Sequence, residues 1–431
     1  DPLSFKGREG SGLPNNGGRD GYIDAAMRPA GGDFEKFAYT YRLWGRMLYN
    51  PEAAPDTWQR KLRADHGPAA VAVETALANA SRVLPLVTTA WTPSASNLQF
   101  WPEMAVNMSI VYEAGTRPYG ETPAPRRFGT ASPLDPQLFM RAEEFADLLL
   151  KNEASGKYSP VDVAQWLEDF AQTASDSLAV AATAAADRSA PVFRRVAVDV
   201  TAELELGRFY AKKFRAAVLY GLYLRTGEGV ALEEAINVYR AAREAWARLA
   251  QATTGVYVSD LTYTSAPHER GLWADRLPAI ERDIALMEKQ RSVAPAPAAK
   301  IAGVTPERVA ALVREVVGRP QRAAAGVAHV PPKSFRRGQP VALELTAAGA
   351  ATGTKTVQLY YRRTHQAEAW RTVAMEADGS GFRAAIPGDY TDAPFPLEYY
   401  FEVATAGMGR PTIYPGLGAK LCDQPYFVVR S

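Results

Sequence analysis

At 431 residues, the chain has room for roughly two to three domains of about 150 residues each. Lys and Arg number 49 against 47 Asp and Glu, a formal charge of +2, which supplies neither a basic field for nucleic acid nor an acidic tail. Hydrophobic residues at 47% and charged residues at 22% exclude wholesale disorder.

Cys422 is the single cysteine, so no intramolecular disulfide and no thiolate metal cluster can form. No apolar run reaches about 18 residues, the length that reads as a membrane span. The chain opens Asp1-Pro2-Leu3-Ser4, without a signal peptide, and reads as mature or truncated.

Residues 1–32 form a glycine-rich leader that also carries Leu3, Phe5, Tyr22 and Ile23. Glycine at this density opposes regular structure. From Asp33 the pattern becomes helical, with Phe34, Phe37, Tyr41, Trp44 and Leu48 on one face until Asn50-Pro51 ends it. Asp56 suits the N-cap of a second helix that stops at Gly67. A third runs from Pro68 to about Leu84, where Pro85 kinks or ends it. Residues 91–133 are dense in proline and aromatics, which predicts an ordered irregular loop. Loops of this length are often functional.

Helices resume at Asp135, and Ser159-Pro160-Val161-Asp162 carries a capping signature for the next one. Leu206, Tyr210, Phe214, Val218 and Leu222 then repeat every four residues, and Gly227 and Gly229 make a turn. Leu232, Ile236, Tyr239, Ala242, Trp246 and Leu249 return, which predicts an antiparallel helical hairpin. A further helix spans about Ala274 to Lys289. Residues 33–290 therefore read as one helical domain, and 291–324 as a linker with a short helix from Pro306 to Val317. Over 325–431, alternating stretches such as 357–361 and 397–403 predict an antiparallel β-sandwich. The fold class is a mainly α-helical bundle followed by an immunoglobulin-like sandwich.

Chemistry has few places to reside. His66, His268, His329 and His365 show no zinc spacing, so neither metal nor cofactor is expected. Gly349 to Thr356 departs from a phosphate loop in spacing and lies between strands, where a β-turn is the better reading. Two aromatic loops remain. Trp91, Asn97, Phe100, Trp101 and Glu103 combine rings for sugar C–H faces with groups that bond hydroxyls, and so suit substrate binding. The other reading is that Trp91 and Trp101 anchor the loop. Tyr257, Tyr263, His268, Glu269, Arg270 and Trp273 form the second loop, where His268-Glu269-Arg270 offers acid–base groups or an ion-paired helix entrance. Glu103, His268 and Glu269 are the catalytic candidates. No carboxylate pair for glycoside hydrolysis is singled out.

The segment Tyr39 to Glu52, with Trp58 after it, resembles the helical region that follows the catalytic barrel in glycoside hydrolases of the α-glucuronidase type, families 67 and 115. The sandwich is similar to the immunoglobulin- or fibronectin-like accessory modules of bacterial secreted enzymes. No βα alternation of barrel length is present. The resemblance therefore implies a barrel upstream, or in a companion chain, with residues 1–32 as its trailing edge. Lys6, Arg8, Asp20 and Tyr22 would then be loop residues on the active-site side. It implies the C-terminal part of a bacterial, periplasmic or secreted enzyme with carbohydrate as partner, and no nucleic acid. The alternatives are a non-catalytic glycan- or protein-binding scaffold, and a helical polysaccharide lyase using Tyr263, His268 and Arg270.

Overall fold

The computed structural model describes residues 21–30, 33–92, 108–112, 127–259, 261–262, 270–292, 304–322, 324–347, 355–365, 367–379, 381–407 and 409–431. The chain divides into a helical unit, 1–150 with 158–320, and a β unit, 151–157 with 321–431. A helical bundle followed by an antiparallel sandwich is the observed fold class.

In the helical unit α1 (Asp33–Lys36), α2 (Ala38–Tyr49), α3 (Asp56–His66), α4 (Ala70–Ala80) and α5 (Val83–Ala90) come first. The longer helices α6 (Ala142–Lys151), α7 (Pro160–Ala184), α8 (Pro191–Thr226) and α9 (Gly229–Thr253) follow, then α10 (Leu277–Lys289) and α11 (Pro306–Val317). The hairpin is α8 and α9. Gly227 ends α8 at φ +74°, a left-handed cap that glycine adopts without cost, and the following residues start α9. Leu206, Tyr210, Phe214, Val218 and Leu222 are buried along α8, as are Leu232, Ile236, Tyr239, Trp246 and Leu249 along α9. The start of α7 is fixed by a capping box in which Ser159 Oγ accepts from the Asp162 amide while Asp162 accepts from the Ser159 amide.

Several boundaries differ from the sequence reading. The first helix breaks at Phe37, and the part of its stripe on α2 faces solvent: Tyr41, Trp44 and Leu48 are all exposed, Trp44 at 62%. Periodicity reports that a face is apolar, not that something covers it. Asp56 begins α3 instead of capping it, and sits in ion pairs with Arg60 and Arg63. Pro85 lies in the first turn of α5, where its missing donor is not needed, and the break falls at Ser81 and Arg82. Residues 135–139 form a turn, since the Asp135 side chain accepts from the amides of Gln137 and Leu138 before α6 begins. One stretch, Asp56–Ala90, is long and apolar enough on average to cross a membrane. It comprises separate helices α3 to α5, whose Val73, Ala76 and Ala80 are buried among Ala171, Ala174, Ala181, Phe193 and Val200.

The β unit contains β3 (Val327–Ala328), β4 (Val341–Ala347), β5 (Lys355–Arg363), β6 (Arg371–Ala374), β7 (Glu376–Asp378), β8 (Gly381–Ile386), β9 (Leu397–Thr405), β10 (Thr412–Tyr414) and β11 (Phe427–Val429). A short ribbon of β1 (Leu261–Thr262) and β2 (Arg270–Gly271) belongs to the helical unit. One sheet has the order β10-β9-β5-β6 with β11 also on β9, and the other β3-β4-β8-β7. Leu343 and Leu345 from one sheet meet Val357, Leu359, Tyr399 and Phe401 from the other in a shared core. All pairings within both sheets are antiparallel.

Candidate functional site

Helix α8 places Arg195, Asp199 and Glu203 four residues apart, so the three side chains stand along one face. That face borders a pocket of about 430 Å³ that is also lined by α1, the start of α2, α3, the end of α4, Tyr257 and Trp273. The volume falls within the range of small-molecule sites.

Asp199 organises one wall. Its Oδ2 accepts from Lys36 Nζ at 2.7 Å, and its Oδ1 accepts from the Tyr257 hydroxyl at 2.5 Å. Lys36 also donates to the Tyr22 hydroxyl at 2.8 Å. Backbone pairing places the two tyrosines side by side: Ile23 N donates to Val256 O and Val258 N to Gly21 O. Their rings stack at 5.2 Å between centroids. Burial pulls the Lys36 ammonium towards neutrality, but Asp199 and Tyr22 together more than offset it and hold the charge above its ordinary range. Burial, with the Asp199 charge next, pushes the Tyr22 hydroxyl up to about 12. The same causes raise Tyr257 well above its usual value. Neither tyrosine is a base near neutral pH.

Ion pairs occupy part of the remaining lining. Lys61 pairs with Asp65 across one turn of α3, and Arg195 Nη2 lies 3.5 Å from Glu35 Oε1. Two polar atoms stand apart from these pairs. Glu203 Oε2 and His66 Nδ1 are buried and have no hydrogen-bond partner among the described residues, and both residues line the cavity. Burial is the largest influence on the Glu203 carboxyl and pushes it up to about 7. Burial holds the His66 imidazole below its ordinary range, so it is neutral at pH 7. Such a site can hold a compact polar ligand, with a protonated Glu203 donating and His66 either donating or accepting.

The sequence-predicted residues separate. Tyr22 lies in this cluster as a buried hydrogen-bonded ring, and Tyr257 and Trp273 line the cavity beside it, their rings 5.9 Å apart. Trp91 is elsewhere. It is 2% exposed, stacks on Phe128 at 4.5 Å and donates its indole N–H to Phe128 O at 3.0 Å. It anchors its segment and offers no open ring face to a sugar. Asn97, Phe100, Trp101, Glu103, Lys6, Arg8, Asp20, Tyr263, His268 and Glu269 lie outside the described residues. Arg270 is placed only through its backbone, paired with Thr262 in the β1–β2 ribbon.

Lys36, His66, Asp199 and Glu203 escaped the sequence reading. The available signal was polar residues 195, 199 and 203 at helical spacing on a helix that is otherwise largely buried. Among the described residues no group of three or more His, Cys, Asp or Glu is placed to hold a metal ion.

No protein-family model matches the chain, and no curated protein matches it. Among solved structures it is similar to a GH138 enzyme targeting pectin rhamnogalacturonan II, with 14% identity and a TM-score of 0.47. That match covers 58% of this chain and 37% of the other. Likeness at this level does not establish a shared fold.

Proposed function

We propose that this chain is the saccharide-handling part of a carbohydrate-active enzyme, a bacterial glycoside hydrolase working in the periplasm or outside the cell, with the α8 cavity as a sugar-binding site. One observation carries the reading: a cavity of about 430 Å³ whose lining includes Tyr257 and Trp273 and two buried, unpartnered polar atoms, Glu203 Oε2 and His66 Nδ1. Sugar rings present apolar C–H faces to aromatic side chains and hydroxyls that donate and accept. An unpartnered buried polar atom costs about 1–3 kcal/mol, which a bound hydroxyl would relieve. The resemblance of Tyr39 to Glu52 to α-glucuronidase helices agrees with carbohydrate chemistry.

The lyase alternative needs a base able to remove a carbon-bound proton. Its candidates Tyr263 and His268 lie outside the described residues, and Tyr22 and Tyr257, which belong to the cavity described above, are held protonated far above neutral pH. Isothermal titration of the protein with a panel of neutral and acidic oligosaccharides tests the reading. Binding of at least one class, weakened about tenfold or more by Glu203→Ala, corresponding to about 1.4 kcal/mol, is the expected result. A flat titration across the panel would overturn it.

A further inference from the structure

We infer that helix α2 docks this protein on an anionic lipid surface, its apolar residues entering the headgroup layer and Arg42 and Arg46 meeting lipid phosphates. The inference is independent of the α8 cavity. Helix α2 is tied to the rest of the helical unit near its start: Ala38 is buried, Tyr39 and Leu43 are half-buried, and the Tyr39 hydroxyl donates to Glu74 Oε1 at 2.9 Å. From Tyr41 to Asn50 every residue except Leu43 is exposed, Leu48 at 72% and Tyr49 at 87%.

Helical spacing sorts these side chains into two arcs. Tyr41, Trp44 and Leu48 stand at i, i+3 and i+7 with Met47 beside Trp44, while Arg42 and Arg46 stand four apart on a separate arc. No acid occurs between Glu35 and Glu52. Neither guanidinium has an ion-pair partner among the described residues. The helix therefore offers the solvent an apolar face and two uncompensated positive charges.

A bilayer with anionic headgroups is complementary to that arrangement, being negative at its surface and apolar beneath. Trp and Tyr rings suit the headgroup level, since each joins an apolar body to a polar tip. Arginine stems can lie along apolar surface while their heads stay with the phosphates. Other occupants fit worse. A second copy of α2 would set Arg42 and Arg46 against their own duplicates with no acid between them, a like-charge contact that opposes association. A saccharide calls for a concavity with polar groups that fix its hydroxyls. An exposed helix is convex, and Met47 and Leu48 offer hydroxyls nothing.

The experiment is co-sedimentation of the protein with vesicles of phosphatidylcholine alone or mixed equally with phosphatidylglycerol, at low and at raised salt. The protein should pellet with the mixed vesicles, and raised salt should release much of it. Arg42→Gln combined with Arg46→Gln should weaken that binding about tenfold or more, and Leu48→Glu should abolish it. All three side chains are exposed, so the variants keep the fold, which an unchanged thermal midpoint checks. Val180→Glu, at an exposed apolar residue of α7, should bind as the parent does. Failure to pellet with either vesicle, or binding by Leu48→Glu as strong as the parent's, would overturn the inference. So would equal pelleting with neutral vesicles, which leaves the arginines no part. Self-association of the parent that Leu48→Glu abolishes would assign the face to a second copy instead. A soluble uronic-acid polymer that binds the parent but not Leu48→Glu would assign it to a polysaccharide.

Discussion

Glu203 and Asp199 share a helix face but differ in their hydrogen-bond partners. Asp199 receives Lys36 and Tyr257, one on each oxygen, whereas Glu203 Oε2 has no hydrogen-bond partner among the described residues. The stability consequence has a definite sign. The folded Glu203 carboxyl titrates at about 7 against 4.5 ordinarily. The folded state therefore binds more protons between those values, and stability falls as pH rises through that window. The expected penalty is about 3 kcal/mol at pH 8, at about 1.4 kcal/mol per pH unit. Glu203→Gln should be markedly more stable than the parent in urea at pH 8 and nearly equal to it near pH 4. Equal stabilities at both pH values would show that the carboxyl is not buried as described.

Asp283 is a contrasting buried acid. Its two oxygens accept from the amides of Ile110 and Val111 at 2.8 and 3.1 Å, and the charge of the buried Lys213 lies close enough to act on it. Removing one partner of a buried charge pair costs about 3–5 kcal/mol. Asp283→Ala should lower the urea midpoint accordingly, whereas Asp283→Asn should recover part of the loss.

Helix ends supply the next scale. Ser159→Ala removes one arm of the α7 capping box and should cost about 1 kcal/mol in chemical denaturation. Gly227→Ala should cost about 1–2 kcal/mol, because a Cβ is disfavoured at the left-handed φ of +74°. Both features were legible in the sequence, since capping and chain reversal depend on residues only a few positions apart. So were the hairpin and the helix Pro306–Val317. The cavity was not. Lys36, His66, Asp199 and Tyr257 are far apart in the chain, and only the packing of α1, α3 and α8 brings them together. Trp91 illustrates the opposite error. A tryptophan in a proline-rich loop suits a sugar platform by composition, but its burial against Phe128 is a tertiary fact. The stripe from Tyr41 to Leu48 shows the same limit, because spacing defines a face without naming its neighbour.

For the molecule as a whole, each unit is held by contacts distant in sequence. The β unit takes in residues 151–157, where the Gly156 amide donates to Glu402 Oε2 at 2.8 Å and the Gly156 carbonyl accepts from Arg322. Burial raises the Glu402 carboxyl. Glu402→Ala should speed hydrogen exchange at the Gly156 amide, while the α8–α9 amides keep their protection. The helical unit is held by the α8–α9 hairpin, and that rigid core fixes the groups around the cavity. The sugar-binding reading of this cavity is tested most directly by a crystal structure of the protein with a bound oligosaccharide. Density for a sugar ring within hydrogen-bond distance of Glu203 and His66, beside Tyr257 and Trp273, is the predicted result. A ring bound instead on the exposed face of Tyr41, Trp44 and Leu48, with the α8 cavity unchanged, would contradict it.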